Sequence, residues 1–251
     1  MLKTDTVLVL ARSRQGEADG IARVLAESGQ SFEVRVHGIF ASRNRSSLII
    51  EPAAKVRLVY YERDKISSAK EGQLLERYED IKANYRMWQL AAYYLELTAL
   101  AARQGPAPEL FVLLEGVLQT LRGSEWAAGS LNTFYQIRIL HLLGILGATD
   151  VCNQCGCELR AYDTALWNFP EMHFNCPDCA DATHQRDALA AALIHKAATR
   201  RYGRFHAGFM AATAEDDRKY LDERLHDVLT YFNGRPFISA RGLYAEKSSL
   251  H

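Results

Sequence analysis

Cys152-Asn153-Gln154-Cys155 and, twenty residues on, Cys176-Pro177-Asp178-Cys179 are the stretch around which the chain is read. Two CxxC pairs at this separation predict one tetrahedral zinc, held by Cys152, Cys155, Cys176 and Cys179. Thiolates are soft ligands suited to Zn²⁺, and a two-residue gap lets both sulfurs of a pair face one ion. Gly156 follows the first pair and Ala180 the second. A glycine there permits the backbone turn that aims amides at sulfur. Between the pairs, 161–167 and 172–174 read as two short strands around a turn at Phe169-Pro170-Glu171. The unit is a zinc ribbon over 150–181.

A disulfide reading would need an oxidising compartment, and the fifth cysteine, Cys157, makes the total odd. A thioredoxin-like site uses one CxxC beside a βαβ pattern, not two pairs around a hairpin. Cys157 in place of Cys155 is a possible register, but the two-residue gap is better attested. Four thiolates leave no open position for water, so the metal is expected to be structural rather than catalytic.

N-terminal to the ribbon the periodicity divides the chain. Residues 6–10 form an aliphatic strand, a polar turn is expected over 12–19, and 21–27 resumes the strand pattern. Phe32 to Ile39 alternates, with Phe32, Val34 and Val36 on one face and Glu33, Arg35 and His37 on the other. Leu48-Ile49-Ile50 and Lys55 to Tyr61 follow. About five short strands within roughly 75 residues suggest a small closed β-barrel, because closure removes exposed edges.

From Leu74 the pattern becomes helical. Segments 85–103, 108–121 and 126–146 are expected helices, the third with a Leu131, Phe134, Ile137, Leu140, Leu143 stripe and a stop at Gly147. After the ribbon, 187–201 reads as a helix ending in Lys196, Arg200, Arg201 and Arg204. That cluster fits a second DNA or partner surface and equally a solvated helix face. A last helix is expected to be capped by Thr213 with Asp216 and ended by Gly234-Arg235-Pro236. The fold expected is α+β, with a β-barrel domain over 1–75 and a helical domain over 76–251 carrying the ribbon.

Thirty basic and thirty acidic residues cancel, which excludes a surface coated in positive charge but not a local basic face. Residues 1–57 hold nine Lys/Arg against six Asp/Glu, concentrated at Arg35, His37, Arg43, Arg45, Lys55 and Arg57. By composition alone this is an ordinary solvated barrel face more readily than a DNA site. Charged residues at the start replace the apolar core of a signal peptide, and no long uncharged run predicts a membrane span. A cytoplasmic protein with reduced cysteines is expected.

The sequence resembles the RecO family of bacterial recombination mediators. Carrying the resemblance are Gly16-Glu17-Ala18-Asp19, 36–45, Pro52, Phe134-Tyr135-Gln136-Ile137-Arg138-Ile139-Leu140 with Leu143-Gly144, the four cysteines, and 234–241 from Gly234-Arg235-Pro236 to Arg241. Each motif is weak alone; their order along nearly the whole chain is specific. The resemblance implies an N-terminal OB-fold followed by a helical domain with the zinc site. It implies binding of single- and double-stranded DNA, annealing of complementary strands, and partnership with RecR. It also implies help in loading RecA onto DNA coated by single-stranded DNA-binding protein, whose C-terminal tail some members contact. With it, Arg35, His37, Arg43, Arg45, Lys55 and Arg57 become candidate DNA contacts, and the protein is expected to associate with the nucleoid when acting on DNA.

Phe32, Phe40, Tyr60 and Tyr61 are candidates for stacking on bases, with Phe32 assigned to the core by its parity. Trp88, Trp126 and Tyr93-Tyr94 read as packing residues. His184, His195 and His206 are read as incidental, and no Walker-type loop predicts nucleotide hydrolysis, so no enzyme is expected. The alternative is a zinc-ribbon scaffold or transcription-type factor whose ribbon touches nucleic acid. Only Arg160 is basic between Cys155 and Cys176, against Glu158, Asp163 and Glu171, which disfavours it. A metal-dependent hydrolase is disfavoured by the closed ligand set.

Overall fold

The computed structural model describes residues 1–41, 47–123, 128–159, 166–168, 172–180, 202, 205–207 and 214–244. The chain forms two compact units, Met1–Glu125 with Pro236–His251, and Trp126–Arg235.

In the first unit five strands close into a barrel: β1 (Leu2–Gln15), β2 (Asp19–Ala26), β3 (Ser31–Val36), β4 (Lys55–Tyr61) and β5 (Ile66–Glu76). Neighbours run in the order β1-β2-β3-β5-β4, and β4 returns to β1. β3 and β5 are parallel, and all other pairs are antiparallel. This closed five-strand arrangement is an OB-fold. Alternation sends Val7, Val9, Val24, Val34, Val36, Val56 and Leu58 into one core, with Phe32 packed against it.

Three strand expectations change. Arg12–Gln15 do not interrupt β1 but extend it, pairing with Asp19–Ala22. Leu48-Ile49-Ile50 is not a strand: Ser47–Ile50 is a 3₁₀ turn. β5 falls mostly on residues to which no element is assigned from the sequence, and only its last three, Leu74–Glu76, overlap the expected helical pattern. Its apolar alternation is broken by Ser67 and Gly72, yet Gly72 is there for space, since a Cβ would lie 2.8 Å from Ile49 Cδ1.

Helices α1 (Glu79–Ala83), α2 (Tyr85–Ala101) and α3 (Pro108–Gly123) follow in the same unit. Asn84 caps α2 by accepting from the Met87 amide at 3.1 Å. Leu8, Leu10 and Leu25 are buried although they lie on the outer parity of their strands; α2 packs on β1 and α3 on β2. Gly29, at φ +80, sits where any side chain would strike the Ala107 backbone, so the β2–β3 turn closes against the entry to α3. At the end of the chain, Phe237 meets the ring of Tyr93 edge-on at 5.5 Å, and Glu96 accepts from the Ser239 amide at 2.9 Å. Tyr93 and Tyr94 are fully buried, as packing residues should be.

The second unit is built on α4 (Ala128–Leu142) and α5 (Glu215–Asn233), which pack together. α4 carries more than an apolar stripe: from Ser130 to Leu140 every residue but Arg138 is buried. It ends at Leu142, five residues before the expected stop at Gly147. Gly144 (φ +69) donates to His141, and Ile145 donates to Leu140, a Schellman ending. At the start of α5 the cap position is Ala214, with no side-chain cap; Thr213 lies outside the described residues. Glu215, Asp216 and Asp217 in the first turn suit the helix dipole instead. Gly234 ends α5 at φ +71. The expected helix over 187–201 and its cluster Lys196, Arg200, Arg201 and Arg204 also lie outside the described residues.

A polar rivet joins α4 to α5. The Asp222 carboxylate accepts from Asn132 at 2.8 Å, Thr133 at 3.0 Å and Gln136 at 2.7 Å. Those three donors are buried. Asp222→Ala is therefore expected to lower the unfolding free energy of this unit by about 3 kcal/mol, since charge-assisted bonds are lost and buried donors are stranded. The shift of its denaturant midpoint measures this.

Candidate nucleic-acid interface and metal centre

On the barrel, Arg35 projects from β3 on the face opposite Val34 and Val36, and lines an open cleft of about 440 Å³. His37 follows at the end of the strand, and the short β4–β5 connection contributes Arg63 and Lys65; Ser67 and Ser68 of β5 complete the lining. Four residues able to carry positive charge thus converge on the strand face and connection that OB-folds use for oligonucleotides. The Nε of Arg35 is buried and finds no acceptor among the described residues. The Arg35 side chain lines the cleft, and a guanidinium there is suited to a phosphate oxygen.

Of the acidic residues near the cleft Asp19 and Glu62 are engaged, while Asp64 stands exposed between Arg63 and Lys65. Asp19 accepts from the Gly38 amide at 2.8 Å and lies 2.9 Å from His37 Nδ1. The Gly38 amide, assisted by His37 and Arg35, holds its carboxyl below the usual range. Asp19 thus stays ionised and orients the imidazole. Glu62 is held by Lys3 at 2.5 Å. On the outer face of β2 and β3, Arg23 pairs with Glu33 at 2.9 Å, removing it from the free basic surface.

The other predicted contacts are dispersed. Lys55 reaches Glu115 of α3 at 2.5 Å and lies over the Phe111 ring, so it already braces the barrel against a helix. Arg57 is exposed on β4, between Thr6 and Gln73 on the adjacent strands. Arg43 and Arg45 lie outside the described residues. Arg63 and Lys65 were missed by the sequence reading because the strand they introduce, β5, was missed; two cations in a four-residue connection between strands would have been the signal.

In the second unit the sulfurs of Cys152, Cys155, Cys176 and Cys179 all lie within 4.8 Å of one another. Cys155 and Cys176 are 3.8 Å apart, close to the edge of a tetrahedron with metal–sulfur bonds of about 2.3 Å. The first knuckle is shaped by its backbone: Gly156, at φ +73, donates to Cys152, and Cys152 donates to Cys157. In the second, the amides of Cys179 and Ala180 both donate to Cys176. Asn153 donates to Phe174, joining the first knuckle to β7 (His173–Asn175), which pairs with β6 (Leu166–Asn168). The second strand is shifted by one residue from the expected 172–174, and the first is described from Leu166 to Asn168; 161–165 and the turn at 169–171 lie outside the described residues.

Burial alone would raise the Cys152 thiol, but the amides of Cys155, Cys176 and Gln154 outweigh it and bring it down to about 6. Hydrogen bonding to Cys176 and Cys155 pushes the Cys179 thiol up. The Cys157 amide lowers the Cys155 thiol as well, and thiolates gathered in such a set are matched to a thiophilic dication. Cys157 lies outside the convergent set, and all five cysteines are free thiols. Of the three incidental histidines, His206 bonds Ser130 at 2.6 Å, while His184 and His195 lie outside the described residues.

An OB-fold barrel with a basic cleft, followed by helices bearing a four-cysteine centre, defines a class of two-part proteins built around a nucleic-acid-type barrel and a metal-ligating knuckle pair. The family model described as "Recombination protein O C terminal" matches residues 82–222. The chain belongs to the RecO family of DNA repair and recombination proteins. It is 27% identical over 179 residues to the DNA repair protein RecO of Syntrophobacter fumaroxidans, covering 70% of each chain. With that of Geobacter metallireducens it shares 28% over 198 residues, 78% of this chain and 80% of the relative. With that of a Nocardioides species the figures are 25% over 203 residues, 77% and 83%. Among the described residues no helix is long and apolar enough to cross a membrane.

Proposed function

We propose that this chain is a recombination mediator whose barrel holds single- and double-stranded DNA and whose helical part is braced by one structural zinc. The observation that carries the reading is the convergence of Arg35, His37, Arg63 and Lys65 on one cleft of an OB-fold. Arg43 and Arg45, which follow β3 in the sequence, are further proposed DNA contacts, with Arg57 as another. Lys55 is the weakest of the expected contacts, since a phosphate would compete with Glu115 for its ammonium.

Annealing needs two strands held close while their charges are screened, and it needs no covalent catalyst. Family membership supports the remaining steps: cooperation with RecR, contact with the tail of single-stranded DNA-binding protein, and indirect loading of RecA, all in the cytoplasm at the nucleoid. Zn²⁺ is assigned to Cys152, Cys155, Cys176 and Cys179 as a closed site that supplies rigidity.

At low salt and without nucleotide, the protein is expected to accelerate the pairing of complementary oligonucleotides, bare or coated with single-stranded DNA-binding protein. Fluorescence transfer between labelled strands measures the rate. An unchanged rate on both substrates counts against the mediator reading.

A further inference from the structure

We infer that Tyr61 is the stacking platform of the barrel and makes this site prefer unpaired over paired nucleic acid. The inference rests on the barrel reading above and adds to it the element that senses strandedness.

Four aromatic residues are available near the barrel surface, and the fold disposes of three. Phe32 and Tyr60 stack on each other at 4.8 Å, and Tyr60 donates its hydroxyl to Asp5 at 2.7 Å. Phe40 is 37% exposed, and the Arg14 guanidinium lies 5.3 Å over its ring. Tyr61 remains, 45% exposed. Because Tyr60 points inward, its neighbour points out.

The register then places Tyr61 with the cleft. Across the sheet Ile21 pairs with Arg35, Arg35 with Ser68, and Ser68 with Tyr61, so these four lie in one row on the outer face. Two inter-strand spacings separate Arg35 from Tyr61, roughly 10 Å. The connection bearing Arg63 and Lys65 begins directly after Tyr61. Phosphates can therefore lie along the cations while a base turns onto the phenol ring. In a duplex both faces of each base pair are already stacked, and the cations meet phosphates without any base reaching the ring. Cations serve both substrates; the ring serves only the single strand.

The test measures binding of the full chain to an oligothymidylate and to a duplex of equal length, for wild type, Tyr61→Ala, Tyr61→Leu and Tyr61→Phe. Tyr61→Ala and Tyr61→Leu are expected to weaken single-strand binding about tenfold or more while leaving duplex binding within about twofold. Tyr61→Phe keeps the π-face and is expected to bind as wild type. Tyr61→Leu retains bulk, so a loss shared with Tyr61→Ala reports the aromatic face rather than packing. Equal losses on both substrates, or none on the single strand, overturn the stacking role. The barrel site itself is read by Arg63→Glu with Lys65→Glu: unchanged binding of both nucleic acids overturns that site, whatever Tyr61→Ala does.

Discussion

Serine at both Cys176 and Cys179 is expected to take bound zinc from one per chain to none and to unfold much of the second unit. Cys176 is 1% exposed and Cys152 2%, so half of the ligand set is built into the interior. The two knuckles are tied into the unit by short backbone bonds, notably Asn153 to Phe174. In small sites of this kind metal binding supplies about 10–16 kcal/mol of apparent folding free energy at neutral pH. Metal analysis, thermal unfolding and proteolysis within 126–235 measure the loss. Cys157→Ser is the contrasting variant: lying outside the convergent set, it is expected to keep the metal. The barrel cleft belongs to the other compact unit, so any double-serine protein that stays folded is expected to retain DNA affinity. Selective loss of affinity in such folded protein would move the ribbon into the binding surface.

Reversing Arg35, Arg63 and Lys65 together to glutamate is expected to give the second large effect. Each phosphate contact releases about 0.7 of a counterion from a single strand, so losing three lowers the slope of log K against log salt by about 2. Affinity at low salt is expected to fall by about a hundredfold or more, because three attractions become repulsions. Lys55→Glu should behave differently. It removes the pair with Glu115 and is expected to act through the barrel–helix packing, with little change in salt slope. A triple variant with wild-type slope would remove the cleft from the DNA path.

Expectations drawn from residues succeed or fail here according to how local their physics is. The four cysteines converge as their spacing implies because the geometry within a CxxC depends on two intervening residues. β3 and β4 announce themselves through strict alternation, each having one face in the barrel core. Gly234 marks the end of α5 because only backbone conformation at that residue is at issue.

β5 is silent for the opposite reason. Its inward positions include Ser67, and Gly72 leaves room for Ile49, a neighbour more than twenty residues away in sequence. The pattern becomes intelligible only once the barrel has closed. Gly144 rather than Gly147 ends α4 for a related reason. Gly147 instead donates to Met172 at 3.0 Å, and a Cβ there would lie 3.3 Å from the same carbonyl oxygen.

The candidate site divides along the same line. By itself the sequence determined that a barrel with a basic stretch precedes helices and a closed set of four thiols, since alternation, charge and CxxC spacing are properties of neighbouring residues. Only the tertiary structure decided which cations share a cleft. Closing the barrel brings Arg35 beside Arg63 and Lys65 and sets Tyr61 in the same row, while packing of α3 draws Lys55 away to Glu115. The physical reason is that strand order and register are set by burial of the whole core, which no short stretch records.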